Sequence, residues 1–253
     1  MKNALKYQFS FFNYLVSTQR FKLTFILSVI TTIFGVTSLG FETQYGYFDG
    51  FLMVLSNPFY MMALYMILFI NTVHTVTMFD KNENYIIRCE NIKKYIKQMI
   101  HKVLFNNTIL YIILLLLLMI GLNFFCFGRF HIYVIEEYQI YNIIYLVFFL
   151  LRIYVIFLLM AALNVLLLKV LNDKGVILLN ILFAIGIVVI PTSGDVITSI
   201  TKMPFFIGNF LTPHLFHSFL FEILCSLLIL FIYSTIVSFL YQFVKKHMRQ
   251  VGR

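Results

Sequence analysis

Long apolar stretches are the feature of this sequence that most constrains its fold. Residues 142–168, for example, read NIIYLVFFLLRIYVIFLLMAALNVLLL and contain one charged residue, Arg152. A hydrocarbon core about 30 Å thick is crossed by about 20 helical residues, whose backbone polar groups must be satisfied within the segment. Of the 253 residues, 61% are hydrophobic and only 11% are charged, which is too few for a water-soluble surface. The sequence therefore predicts an all-α integral membrane protein.

Six segments have the length and apolar character of membrane spans. Gly175, Gly186 and Pro191 bracket or loosen the fifth, which is the shortest. Little sequence remains for a soluble domain, so we expect residues 1–253 to form a single transmembrane domain. The predicted spans lie near 23–39, 58–78, 103–127, 142–168, 176–191 and 218–244.

Positive charge is distributed unevenly between the two sets of loops. Sixteen of the nineteen Lys and Arg residues lie before the first span, in 79–102, after the fourth span or after the sixth. The opposite loops hold only Arg129 and Lys202. Because cytoplasmic loops carry an excess of Lys and Arg, we expect a multi-pass cell-membrane protein with both termini in the cytoplasm. The same rule accounts for the net charge of +9 without nucleic acid as a partner.

Two further segments are expected at the membrane surface. The first is an amphipathic helix before the first span, because four apolar residues recur there at helical spacing, namely Leu5, Phe9, Phe12 and Leu15. The second lies between spans five and six, where glycines and prolines interrupt an aromatic-rich run. Short interfacial or re-entrant helices are expected there, at the outer surface.

Residues 92–102 have a helical pattern with one apolar and one basic face. Ile92, Tyr95, Ile96 and Met99 fall on the apolar face, and the lysines lie opposite. We expect this helix to lie along the cytoplasmic interface and then to turn into the third span. Each lysine near anionic headgroups would contribute about 1 kcal/mol.

The preceding stretch, DKNENYIIRCEN at 80–91, is not explained by membrane electrostatics. Mixed charges surround a short apolar patch of Tyr85, Ile86 and Ile87. Such a patch on a cytoplasmic loop is typical of a docking surface for a protein partner. A solvated connector is the alternative interpretation.

Taken together, these features resemble the membrane subunit of a type-2 ABC exporter, the ABC-2 permease family. The resemblance covers nearly the whole chain as an architecture: six spans, an amphipathic N-terminal helix, a cytoplasmic helix between spans two and three, and a broken outer loop before span six. Locally it depends on an acidic-polar run followed by the basic-aromatic run 91–95. It implies that the first run begins a coupling helix that docks on an ATPase, formed by Glu83, Asn84, Tyr85, Ile86, Ile87 and Arg88.

The resemblance also implies partners and an activity. The chain would be a transporter subunit rather than an enzyme, paired with a second permease as a homodimer or heterodimer. The exported cargo would be an amphipathic or hydrophobic peptide toxin, antimicrobial peptide, drug or lipid. Exporters of peptide toxins, of bacteriocin-immunity type or of phenol-soluble modulins are similar in size. The sequence lacks a GxxxxGK[ST] phosphate loop, so ATP and Mg²⁺ are expected in the ATPase chain and no cofactor in this one.

Arg152 and Glu222 are ionisable residues inside predicted spans, where such groups are rare and usually paired. A pair would join the outer halves of spans four and six. Alternatively, each side chain reaches separately to the outer interface. Asn71 and His74, near the inner end of span two, share a polar face. We interpret His74 mainly as part of an interhelical hydrogen bond, with the lining of a transport pathway as the alternative.

The sequence predicts neither a catalytic nor a metal site. HExxH and GxSxG motifs are missing from it, and His214 and His217 have few further candidate ligands nearby. Two other functions compete with export: an intramembrane protease or lipid-modifying enzyme, and a non-transporting sensor or assembly protein. The enzyme is disfavoured because no cluster of intramembrane acids, bases or metal ligands is evident in the sequence.

Overall fold

The computed structural model describes residues 13–14, 16–37, 46–81, 92–125, 132–136, 138–171, 173–192 and 218–251. Within these ranges the chain forms seven helices and one short hairpin. The helices are α1 (Gln19–Thr37), α2 (Tyr47–Ser56), α3 (Pro58–Asp80), α4 (Ile92–Phe125), α5 (Asn142–Leu167), α6 (Asp173–Thr192) and α7 (Phe219–Val251). Strands β1 (Val134–Ile135) and β2 (Ile140–Tyr141) pair antiparallel between α4 and α5.

The chain is mainly helical and has the character of a membrane protein, as the sequence predicted. Five helices, α1, α3, α4, α5 and α7, are long and apolar enough to cross a membrane. The predicted fifth span, 176–191, lies within α6, which is not among these five. The predicted amphipathic N-terminal helix, the coupling segment and the outer segment before α7 lie outside the described residues, apart from a few positions at their edges.

Helix α4 corrects one prediction, because it runs without a break from Ile92 to Phe125. We expected an interfacial helix over 92–102 that turns into a span at residue 103. Ile96, Met99 and Val103 are instead fully buried as one stripe, which continues into the span at Leu110 and Leu114. No glycine or proline interrupts 92–120, so nothing in the sequence breaks the helix at the expected turn. With about 1.5 Å of rise per residue, α4 is about 50 Å long.

The ten-residue helix α2 was not predicted. A single residue, Asn57, separates it from α3 and serves both helices. The backbone N–H of Asn57 donates to the Met53 carbonyl at 3.2 Å, and its side-chain oxygen accepts from the N–H groups of Phe59 and Tyr60 at 3.0 and 3.3 Å. Pro58 then begins α3, a position where its missing N–H costs nothing.

Helix α3 is the centre of the bundle and packs against α1, α4, α5 and α6. In its most apolar stretch 61% of the residues are buried inside the chain, whereas in α7 only 17% are. A helix with buried residues on every side must be enclosed by its neighbours. Helix α7 instead presents large apolar side chains outward, including Leu220, Leu224, Phe231 and Phe239.

The helix ends define two ends of the bundle. The basic end contains the start of α1, the end of α3, the start of α4 and the end of α5, which are joined by contacts such as Thr18 with His74 and Asp80 with Lys169. The hairpin end contains the hairpin and α2, and Tyr133 donates to Asp49 there at 2.8 Å. Exposed cations of the basic end are Arg20, Lys22, Lys81, Lys93, Lys94, Lys97, Lys174 and Lys246. Among the described residues the hairpin end has no exposed Lys or Arg.

The close approach of α1 to α3 gives a first prediction. A Cβ atom at Gly35 would lie 2.5 Å from Cδ2 of Tyr60, whose ring is buried and has no room to move. We expect Gly35→Ala to destabilise the protein by about 1–3 kcal/mol through overpacking. Gly121→Ala is the matched control, because its Cβ would approach no atom closer than Val36 Cγ2, at 3.1 Å. Thermal unfolding in detergent measures both, and a larger loss for Gly121→Ala would contradict the prediction.

Candidate functional site

Arg152 and Glu222, the two ionisable residues predicted inside spans, meet in a buried ion pair. Arg152 lies on α5 and Glu222 in the first turn of α7, and Nη1 of the arginine donates to Oε1 of the glutamate. Their side chains are 2% and 0% exposed, so solvent does not screen the pair. The structure therefore brings the two residues together rather than leaving each to reach the interface separately.

Aromatic residues enclose this ion pair. Tyr145 donates to Oε1 of Glu222 at 3.0 Å, and Tyr138 donates to Oε2 at 2.8 Å. The guanidinium carbon of Arg152 lies 4.9 Å from the ring centre of Phe149 and 5.5 Å from that of Phe148. Each carboxylate oxygen thus has a donor, and the cation lies over two ring faces. A buried charge pair needs such additional partners to offset its loss of hydration.

Tyr138 belongs to the hairpin end, two residues before β2. Burial raises the pKa of its phenol, and the hydrogen bond to the Glu222 carboxylate raises it further. The phenol of Tyr133, an exposed residue whose hydroxyl is partly desolvated at its bond to Asp49, has its pKa raised to about 12 by that desolvation and by the carboxylate. Both hydroxyls therefore remain protonated donors at neutral pH. Tyr138 was not predicted from the sequence, although a tyrosine just before a span that holds an ionisable residue is a signal for a buried hydrogen bond.

A second cluster, formed by uncharged polar side chains, joins α3 and α4 inside the bundle. Asn71 donates to Asn107 at 2.7 Å, and Asn107 donates to Thr72 at 2.8 Å. Asn106 donates to Thr75 at 3.3 Å. The Oδ1 atoms of Asn71 and Asn106 are buried and accept no hydrogen bond from the described residues. Asn71, predicted as a pathway candidate, is thus part of an interhelical network.

The network continues toward α5 and α6. Asn164 and Asn180 donate to each other's Oδ1 at 2.9 Å, and Tyr65 also donates to Asn180. A cavity of about 10 Å³ lies between the two halves of the network, with Tyr65, Thr72, Asn107 and Asn164 in its lining. This volume suits one water molecule with polar partners. Neutral amides and hydroxyls therefore form a polar layer across four helices.

His74, the other predicted pathway residue, contacts the N-terminal end of α1. Its Nε2 lies 3.0 Å from the Thr18 hydroxyl, and Thr18 also accepts from the backbone N–H of Phe21 as a helix cap. Nδ1 of His74 is buried without a partner among the described residues. The geometry shows the interhelical hydrogen bond that the sequence suggested. The side chain is not among those that line the small cavity.

A third cluster lies at the basic end, where α3 ends and α4 begins. Nζ of Lys169, just after α5, donates to both carboxylate oxygens of Asp80, at 2.7 and 2.5 Å. Tyr95 of α4 also donates to Asp80, and its ring packs on Phe79 with 5.3 Å between ring centres. These contacts join three helix ends directly beside segment 82–91. The predicted coupling residues Glu83, Asn84, Tyr85, Ile86, Ile87 and Arg88 lie outside the described residues.

Comparison with known proteins leaves the family open. No protein-family model, curated protein or solved structure matches the chain. What the structure supports directly is a mainly helical protein with five helices able to cross a membrane. The resemblance to ABC-2 permeases stays a prediction from the sequence.

The buried ion pair gives a second prediction. Glu222→Ala leaves the Arg152 cation buried without its partner, so we expect a loss of about 3–5 kcal/mol in stability. The double variant Arg152→Ala/Glu222→Ala should lose less than the sum of the two single variants, because both charges are then gone. Thermal unfolding in detergent of the wild type, the two single variants and the double variant measures the coupling between the two residues.

The matched control is the ion pair at the basic end. Asp80 is 38% exposed, so an Asp80→Ala/Lys169→Ala cycle should give a coupling of about 1 kcal/mol or less. Strictly additive losses at Arg152 and Glu222 would mean that their contact does not stabilise the fold.

Proposed function

We propose that this chain is the six-span membrane subunit of an ABC-2 type exporter, driven by a separate ATPase chain. The observation that carries the proposal is the basic end of the bundle. Segment 82–91 leaves α3 after Lys81 and enters α4 at Ile92, and both positions lie at that end. A docking segment that connects these two helix ends would meet a motor at one face of the membrane.

The third cluster supplies a route from that segment into the bundle. Asp80 lies two residues before the segment, and Tyr95 lies four residues after it. Tyr95 contacts Asp80, and Lys169 contacts Asp80 as well. A displacement of the segment would therefore act on α3, α4 and the end of α5 together. Coupling of this kind requires a contiguous set of packed elements, which these contacts provide.

The charge distribution supports a cytoplasmic assignment for the basic end. Exposed lysines and arginines lie at that end, whereas the hairpin end carries Asp49 and an exposed Glu136. With α6 as the fifth span, both termini lie in the cytoplasm of a cell-membrane protein. The lysines on the exposed face of α4 then lie near anionic headgroups.

The exported cargo is an amphipathic or hydrophobic molecule, such as a peptide toxin, an antimicrobial peptide, a drug or a lipid. The composition of the interior supports this class of cargo. Its buried polar groups are mostly neutral amides and tyrosine hydroxyls, and the charges of its one described buried ion pair, Arg152 and Glu222, neutralise each other. Such a surface suits mixed apolar and hydrogen-bonding groups better than a sugar or an ion. The outward apolar face of α7 is shared between lipid and a second permease subunit.

Affinity purification from the native cells in mild detergent tests the proposal. We expect an ABC ATPase to be recovered in a stoichiometric amount with the tagged chain. Recovery of the folded chain without an ATPase would overturn the proposal. That result would favour an intramembrane enzyme or a non-transporting membrane protein.

The docking segment gives a third prediction. Tyr85→Ala/Ile87→Ala/Arg88→Ala should reduce ATPase recovery at least about tenfold, because a few central contacts carry most of the energy of an interface. The thermal midpoint of the chain alone should stay close to the wild type.

The matched control replaces three exposed lysines of α4, as Lys93→Ala/Lys94→Ala/Lys97→Ala. These side chains lie past the segment, so ATPase recovery should be retained. Equal losses in the two triple variants would indicate a general electrostatic attraction rather than docking on Tyr85 to Arg88.

A further inference from the structure

We propose that the hairpin of β1 and β2 is a gate, held closed by the hydrogen bond from Tyr138 to Glu222. The gate covers the interface between α5 and α7 at the hairpin end. Its assignment as the exit for cargo rests on the proposed export function. The gate itself is argued from the contacts of the hairpin alone.

The hairpin is the shortest element at its end of the bundle, with two residues in each strand. Only two residue pairs form its ladder, Val134 with Tyr141 and Ile135 with Ile140. A two-stranded hairpin is marginally stable by itself in water, so contacts with the bundle must fix its position. Ile132, Tyr133, Val134 and Tyr141 are exposed. Elements with few buried contacts open at a lower free energy than the helices beneath them.

Tyr138 is the deepest anchor of the hairpin. Its side chain is buried, and its ring packs against Tyr145 and Phe219, with ring centres 5.2 and 6.0 Å away. Tyr145 lies on α5 and Phe219 begins α7, so the Tyr138 ring contacts both helices. Beneath this aromatic layer lie the ion pair and, one turn further along α7, the buried thiol of Cys225.

The hydrogen bonds divide between the two oxygens of Glu222 in a way that permits opening. Tyr138 donates to Oε2, whereas Arg152 and Tyr145 donate to Oε1. Withdrawal of Tyr138 therefore removes one hydrogen bond and leaves the ion pair intact. The hairpin can move away while α5 and α7 remain joined, which distinguishes a gate from a structural cap that holds the helices together.

Cys225 is a native reporter of this opening. In a Cys89→Ser/Cys126→Ser background it is the only thiol, and its labelling by a membrane-impermeant maleimide can be followed in lipid nanodiscs, where both faces are accessible. Tyr138→Phe keeps the ring and loses the hydroxyl. We expect it to label Cys225 about tenfold faster than the wild type, with a smaller fall in thermal midpoint than Glu222→Ala, because the ion pair itself is kept.

Two further variants make the result decisive. Tyr133→Phe removes the other phenol of the hairpin, which bonds the half-buried Asp49, and should label within twofold of the wild type. Glu222→Gln weakens the acceptor and should also accelerate labelling, but at a lower thermal midpoint than Tyr138→Phe, because the buried Arg152 cation loses its counter-charge. Tyr138→Phe labelling within twofold of the wild type, or equal acceleration by Tyr133→Phe, would overturn the gate.

These outcomes are separable from those of the proposed function. Faster labelling of Cys225 in Tyr138→Phe, with no ATPase recovered in the purification, would support the gate and contradict the proposed export function. An ATPase that copurifies with the chain, together with unchanged labelling of Cys225 in Tyr138→Phe, would support the export function and contradict the gate.

Discussion

The cost of leaving a polar group unpaired in an apolar interior determines how these helices fit together. Apolar faces alone bring helices into contact, but lipid competes with them and they define rotation weakly. Directional bonds remove that freedom. Arg152 with Glu222 joins α5 to α7, Asn164 with Asn180 joins α5 to α6, and Asn71 with Asn107 joins α3 to α4. Because each bond needs one rotation of each helix, these bonds, together with the one from Tyr65 of α3 to Asn180 of α6, set the arrangement of five helices.

The same constraint separates the molecule into layers with different roles. At the basic end, Asp80, Lys169 and Tyr95 are partly exposed, so their bonds hold helix ends with modest energy and can rearrange. In the middle, neutral amides form a layer that tolerates a water molecule. Toward the hairpin end, full charges are enclosed by aromatic rings. The polar contacts thus become more fully buried from the basic end toward the ion pair.

The extent to which the sequence predicted the structure follows from the range of each signal. Helical spans were visible because a run of 20 apolar residues has few other solutions. The ion pair was one of two alternatives from the sequence, because a charged residue inside a span needs a partner and Arg152 and Glu222 offer each other one. Helix α2 is short, and its apolar residues look like those of an interfacial loop. The position of Tyr138 depends on Glu222, 84 residues away, which no local pattern reveals. The continuity of α4 is hidden in the sequence, because a basic face at 92–102 is more typical of a helix at the membrane surface than of the first turns of a span.

Asn57 has a consequence for motion. The residue ends α2 with its backbone and begins α3 with its side chain, so the angle between the two helices has no loop in which to change. Tyr47, at the other end of α2, donates to the Met119 carbonyl of α4 at 3.3 Å. Helix α2 therefore acts as a strut between α3 and α4. A tilt imposed on α3 at the basic end would reach the far half of α4 as a lever movement, some 30 Å away by helix length, through α2 as well as through the amide network between the two helices.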